Sequence, residues 1–183
     1  MKTRLLFLGP PGAGKGTQAA LICESGGMKH LSTGDLLRGE VAAGTDLGKE
    51  AEAVMNSGEL VSDALVLAIV ESQMKSLRGN GWLLDGFPRT LPQAEALEPL
   101  LEELQQPIEA VVLLDLDDAV LIERLLGRGR ADDNEAVIRN RLEIYREKTA
   151  PLINFYRDKG LLLSVPAHGS VEVITQRIRE VLN

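Results

Sequence analysis

"GPPGAGKGTQ", Gly9 to Gln18, follows the apolar run "LLFL" and has the phosphate-binding spacing of a glycine, four residues and then Gly14-Lys15. Gly9, Gly12 and Gly14 let the backbone close around a phosphate. A helix beginning near Lys15 turns its free amides and positive dipole end toward it, and Lys15 adds a charge. The next position departs from the usual pattern: Gly16 stands where a Ser or Thr hydroxyl normally meets Mg²⁺, and Thr17 follows one step later. What holds the metal is therefore the first question this stretch raises.

The totals bound the answer. A chain of 183 residues, 44% apolar with mean hydropathy −0.01, can bury a good core as one domain. A net charge of −7 and a pI of about 5.0 speak against gripping nucleic acid by bulk positive field, yet leave room for a locally basic pocket holding a small anion. Cys23 is the only cysteine, so neither an intrachain disulfide nor a cysteine-built zinc site can form, and a cytoplasmic address is expected. The start "MKTRLLFLGPPG" has too short an apolar run for a signal-peptide core and reads as a first strand. No apolar stretch is long enough to cross a bilayer, so no membrane partner is expected.

Four apolar runs, "LLFLG", "WLLDG", "VVLLDL" and "LLLSVP", read as strands buried on both faces, with "KHLS" as a fifth. Helix-like segments separate them. "SDALVLAIVESQMKSLRG" has Ser62 as cap and Gly79 beyond its end, "DDAVLIERLLGRG" ends in glycines, and Pro151 should kink or restart the long helix from Asn134. "ESGG" and "GRGRADD" read as loops. Strand–helix alternation predicts a doubly wound α/β domain whose ligands bind at the carboxyl ends of the strands.

Taken with "LSTGDLLR", "GELVSD" and "LLDGFPRTLPQA", the Gly16-Thr17 variant of the loop closely resembles the nucleoside monophosphate kinases, and within them the adenylate kinases; the resemblance runs the whole length. It implies an α/β P-loop nucleoside triphosphatase fold, a five-stranded parallel sheet with helices on both faces. One domain, 1–183, would comprise a core, an acceptor-nucleotide insert at about 32–61 and a short lid at about 127–133. It also implies that Mg²⁺ is carried by the substrate phosphates and water, with Asp85 fixing those waters; Thr17, by its own place in the first helical turn, offers a candidate further oxygen. Asp115 also ends an apolar run, but Asp85 leads into a loop with Gly86, Phe87 and Arg89 and is the stronger candidate.

By the same resemblance, Gly12, Ala13, Gly14, Lys15, Gly16 and Thr17, with Arg124, Arg128 and Gly169, hold ATP. Arg38, Arg89, Arg130 and Arg141 hold the acceptor phosphate, while Thr33, Gln93, the main chain at Glu59, Leu60 and Val61, and Gly86, Phe87 and Pro88 surround AMP. A guanidinium forks onto phosphate oxygens and an amide pairs with both a donor and an acceptor of adenine. Competing structural readings exist: Thr90 and Gln93 have capping-box spacing, and Ser32 with Asp35 fits another helix start. Arg124, Arg128, Arg130, Arg139 and Arg141 crowd a stretch without lysine, which suits phosphate clamping, although surface pairs with nearby acids would be the plain alternative. Arg139 and Arg141 point in different directions on one helix. His30 and His168 read as polar loop histidines.

The implied reaction is ATP:AMP phosphoryl transfer giving two ADP, with Lys15, Arg89, Arg128, Arg130 and Arg141 as catalytic cations, serving adenine nucleotide homeostasis. A uridylate/cytidylate-type kinase is the alternative; such relatives tend to carry alanine and asparagine where this chain has Thr33 and Gln93. "GRGRADD" in place of a long insertion resembles the short-lid form, without the zinc-bearing lid of some bacterial relatives, and a monomer is the family expectation. So short a lid leads us to expect modest ATP hydrolysis in the absence of AMP.

Overall fold

The four apolar runs and "KHLS" are the five strands: β1 (Arg4–Leu8), β2 (Lys29–Ser32), β3 (Trp82–Asp85), β4 (Ala110–Asp115) and β5 (Leu162–Pro166). The computed structural model describes residues 1–57, 61–77, 79–128 and 134–183. All strand pairs are parallel, in the order β2-β3-β1-β4-β5, so β1 is central and its carboxyl end opens between β3 and β4. This is the expected α/β P-loop architecture, and it puts the glycine loop at the crevice where such sheets bind ligands.

The described helices are α1 (Lys15–Gly26), α2 (Thr33–Ala43), α3 (Asp46–Asn56), α4 (Asp63–Ser76), α5 (Leu91–Glu103), α6 (Asp118–Gly127), α7 (Glu135–Asp158) and α8 (Val171–Leu182). Their starts follow the predicted chemistry. The side chains of Ser32, Ser62 and Thr90 accept the amides of Asp35, Leu65 and Gln93 at 3.2, 3.2 and 3.4 Å. Two expectations change. "ESGG" is largely the last turn of α1, closed by Gly27 in the left-handed conformation. Pro151 neither ends nor restarts α7, which runs unbroken from Glu135 to Asp158. Pro151 is exposed, so the carbonyl that loses its hydrogen bond can meet water while the helix is held by packing on either side of it.

Alternation along the strands divides the core into two layers. Leu5, Phe7, Leu83 and Val112 face α1, α6 and α8, whereas Leu6, Trp82, Leu84 and Val111 face α2, α4 and α5. The long α7 joins both, with Ile138 and Leu142 buried in the first layer and Leu152 and Tyr156 in the second. Its middle is thereby held across the mouth of the crevice.

Candidate active site

Gly12 and Gly14 have φ of 88° and 85°, a region that side-chain-bearing residues avoid, and Gly14 caps α1 with no side-chain acceptor on its first amides. Those amides form an anion site with the dipole end behind them. A Cβ at Gly12 would lie 3.1 Å from Leu125, so packing fixes that glycine, whereas one at Gly14 or Gly16 would meet nothing within 4 Å. Ala13 is buried beneath the loop.

Opposite the loop, Asp85 at the end of β3 sits between Lys15 and His30. Lys15 Nζ lies 3.3 Å from one carboxylate oxygen and His30 Nε2 3.0 Å from the other, with the Asp85 side chain only 12% exposed. His30 is therefore not a loop histidine: it lies on β2, and the register His30↔Leu83, Ser32↔Asp85 places it on the same sheet face as Asp85, one diagonal step away. Asp85, not Asp115, is the acid beside Lys15. Asp115 borders the Tyr145 phenol, whose pKa is pushed up to about 12 by burial and then by that carboxylate.

One cleft of about 1510 Å³ runs from the glycine loop to the far wall, more than a single small ligand fills. Gly12, Gly14, Lys15, Gly16 and Thr17 line one end; Thr33, Val61, Gly86, Phe87, Pro88, Arg89 and Gln93 line the other; Arg124, Arg128 and Arg141 line it between them. Thr33 Oγ1 donates to Gly86 O at 3.2 Å, and Gly86 adopts φ 93°. Arg89 Nε donates to the same carbonyl at 2.7 Å. Gln93 has both ends engaged, accepting the Arg89 amide and donating to Asp63, each at 2.7 Å. It thus serves as a helix-start residue and a cleft wall at once.

Arg38, Arg139 and Gly169 lie apart from that lining, whereas Arg124 belongs to it and also supports the loop. Arg38 folds back onto Asp35 at 2.5 Å, and this hydrogen bond holds the Asp35 carboxyl below its usual range. Arg124 spans from Gly12 O at 3.3 Å to Ala167 O at 3.2 Å, tying the glycine loop to the segment that contains Gly169. Arg139 pairs with Glu135 on its own helix at 2.8 Å and does not line the cleft. Glu59, Leu60 and Arg130 fall outside the described residues, as does most of the "GRGRADD" segment.

Sequence reasoning missed a face of α7. Besides Arg141, Ile144, Tyr145, Lys148, Thr149 and Leu152 line the cleft, the spacing of a single helical stripe. It also missed Glu40, buried on α2: Thr45 Oγ1 donates to one carboxylate oxygen at 2.5 Å and Gln73 Nε2 to the other at 2.9 Å. Burial alone would raise its pKa, but hydrogen bonds from Thr45, Ser72 and Gln73 outweigh it and hold the carboxyl below its usual range.

The oxygens at hand suit a hard divalent cation that arrives on phosphates. Asp85 and Thr17 border the loop, and among the described residues no cluster of three or more His, Cys, Asp or Glu could cage a metal alone. No helix among the described residues is long and apolar enough to cross a membrane.

A family model described as adenylate kinase matches residues 7–161. The chain is 82% identical over 183 residues to the adenylate kinase of Synechococcus sp. (strain CC9902), and 82% identical to that of Parasynechococcus marenigrum (strain WH8102), covering 100% of both chains in each case. It is 73% identical over 182 residues to the adenylate kinase of Prochlorococcus marinus (strain MIT 9313), again covering 100% of both chains.

Proposed function

The chain belongs to the adenylate kinase family, and we infer that it transfers the γ-phosphoryl group of ATP to AMP, reversibly, giving two ADP. The observation that carries this reading is a single cleft with a phosphate loop at one end and Thr33, Arg89 and Gln93 at the other. That arrangement suits two nucleotides meeting phosphate to phosphate. The acceptor oxygen is already largely ionised near neutral pH, so no side-chain base is required. What the protein supplies is alignment and charge: Lys15 and the amides of α1 on the donor phosphates, Arg89 and Arg38 on the acceptor phosphate, Arg128 and Arg141 where charge develops between them. Arg130 completes that set in our reading.

Mg²⁺ bound on the donor phosphates neutralises their charge; Asp85, through water, and Thr17 are the residues that would hold it. The Lys15–Asp85 contact keeps the lysine head at the loop until phosphate replaces the carboxylate as its partner. Thr33, the main chain at Glu59, Leu60 and Val61, Gly86, Phe87, Pro88 and Gln93 surround the acceptor adenine. Gly12, Ala13, Gly14, Gly16, Arg124 and Gly169 complete the donor site. Within the single domain, residues of about 32–61 form the acceptor insert and about 127–133 a short lid. A cytoplasmic monomer is the assembly we assign.

The test is the reverse reaction with one nucleotide only. Mg²⁺ and ADP should give ATP and AMP in equal amounts; consumption of ADP without AMP, or none at all, would refute the assignment.

A further inference from the structure

A carboxamide that turns over exchanges its donor for its acceptor, so Gln93 can choose between bases only if its amide is held in one sense. Two neighbours hold it. The Arg89 amide donates to Gln93 Oε1 at 2.7 Å, and Gln93 Nε2 donates to Asp63 Oδ1, also at 2.7 Å. A main-chain N–H can only donate and an ionised carboxylate can only accept. Turning the amide over would therefore set two donors against each other at Arg89 and two acceptors against each other at Asp63. Beyond these two contacts the amide keeps one acceptor site and one donor hydrogen for a ligand. Asp63 and Gln93 both line the cleft.

The two side chains project from helix starts whose caps are supplied by other residues. Asp63 is the first residue of α4, but Ser62 Oγ takes the Leu65 amide at 3.2 Å, so the Asp63 carboxylate is not engaged as the cap. Thr90 caps α5 in the same way, on the Gln93 amide at 3.4 Å, which leaves the Gln93 side chain to its two partners. Leu65 and Val66 of α4 and Ala94 and Leu97 of α5 are buried in one layer, and this packing sets the distance between the two starts.

We propose that Asp63 is a positioning residue that sets acceptor specificity: by holding the Gln93 amide in one sense, it selects a 6-amino purine monophosphate over a 6-oxo one. Adenine offers an amino donor at position 6 and an acceptor at N1, which match Oε1 and the remaining Nε2 hydrogen. A 6-oxo purine offers an acceptor and then a donor, and fits only the turned-over amide that Asp63 and the Arg89 amide oppose. The proposal rests on the reading of Gln93 as a residue of the acceptor base pocket.

The experiment measures kcat/KM for AMP and for inosine monophosphate, with saturating Mg²⁺-ATP, in the unmodified protein, Asp63→Asn, Asp63→Glu and Gln93→Leu. Inosine monophosphate differs from AMP only in the 6-oxo group and the proton it places on N1. An asparagine amide can itself turn to offer a donor or an acceptor, so it no longer dictates the sense of Gln93. Asp63→Asn should lower the preference for AMP about three- to tenfold, the scale of one hydrogen bond, chiefly through a lower KM for inosine monophosphate. Asp63→Glu keeps a group that only accepts and should retain more of the preference. The KM for ATP should not move, whereas a general loosening of the fold would shift it. A preference unchanged in Asp63→Asn but lost in Gln93→Leu overturns the proposal and leaves the base pocket intact. A fall in Asp63→Asn that Gln93→Leu does not share also overturns it, since Asp63 would then act other than through Gln93. A preference unchanged in both variants, or equal use of the two acceptors by the unmodified protein, overturns the proposal and the Gln93 reading together.

Discussion

Replacing Gly48 by alanine is the most informative single perturbation of the acceptor side. Gly48 is in the first turn of α3, where a Cβ would lie 2.1 Å from Glu40 O, 2.4 Å from Glu40 C and 2.8 Å from Val41 N, all backbone atoms of α2. Real contacts of a Cβ essentially never fall below 3.0 Å, so α3 must retreat by about 1 Å. That retreat strains the Thr45 cap, whose Oγ1 accepts the Gly48 amide at 3.0 Å and donates to Glu40. Overpacking of this kind costs roughly 1–3 kcal/mol, and a weakened cap adds about 1 kcal/mol. Alanine's helix preference returns about 1 kcal/mol, leaving a net loss of about 1–3 kcal/mol. Gly39→Ala is the matched control: its Cβ would meet only the Gln73 side-chain amide at 3.8 Å, so it should gain about 0.5–1 kcal/mol. Urea melts of both variants give the stabilities, and initial rates give the KM for AMP, which should rise for Gly48→Ala alone. Equal stabilities for the two variants would refute the packing described for α2 and α3.

Three further expectations follow from named contacts. Lys15→Met should lower kcat by about 10²–10³-fold, as loss of a charge-stabilising donor does, while its urea midpoint barely moves; near-normal turnover would remove Lys15 from the site. Glu40→Gln should destabilise the protein near pH 7 by about 1–3 kcal/mol, since it leaves buried donors badly paired. Because the folded Glu40 pKa is lowered, its stabilisation is fully present above the unfolded value of about 4.3 and fades as pH falls through the folded value. Urea melts from pH 7 to 3 should therefore show the two proteins converging at the acid end; a constant gap would contradict the hydrogen-bonded carboxylate. Burial, followed by the nearby Asp85 charge, pushes the Cys23 thiol up to about 12, so alkylation by iodoacetamide at pH 8 should track unfolding; rapid labelling of the native protein would be the contrary result.

Local chemistry made much of this protein legible. Apolar runs announce strands, Ser32, Ser62 and Thr90 announce helix starts, and the glycine spacing from Gly9 to Lys15 announces the loop, because each of these is decided by neighbours in the chain. What stayed hidden depends on pairing across the sheet. His30 meets Asp85 only once β2 lies beside β3 in a particular register. Gln18 Oε1 accepts from Thr175 Oγ1 at 2.7 Å, yet the two are far apart in the chain and read as ordinary helix residues until α1 and α8 pack. Glu40 carries no mark of burial, since a charged residue on a helix is usually solvated. The α7 stripe was partly readable: the spacing from Arg141 to Leu152 was present, but Pro151 argued for a break that an exposed position did not require.

The most direct test of the account is ADP formation from Mg²⁺-ATP with AMP, set beside UMP, CMP, GMP and no acceptor. Rapid turnover with AMP, and little with the others, is what the Thr33–Gly86–Gln93 wall and the loop–arginine cleft lead us to expect. Turnover chiefly with UMP or CMP would contradict the base pocket, and no transfer to any acceptor would contradict the central claim.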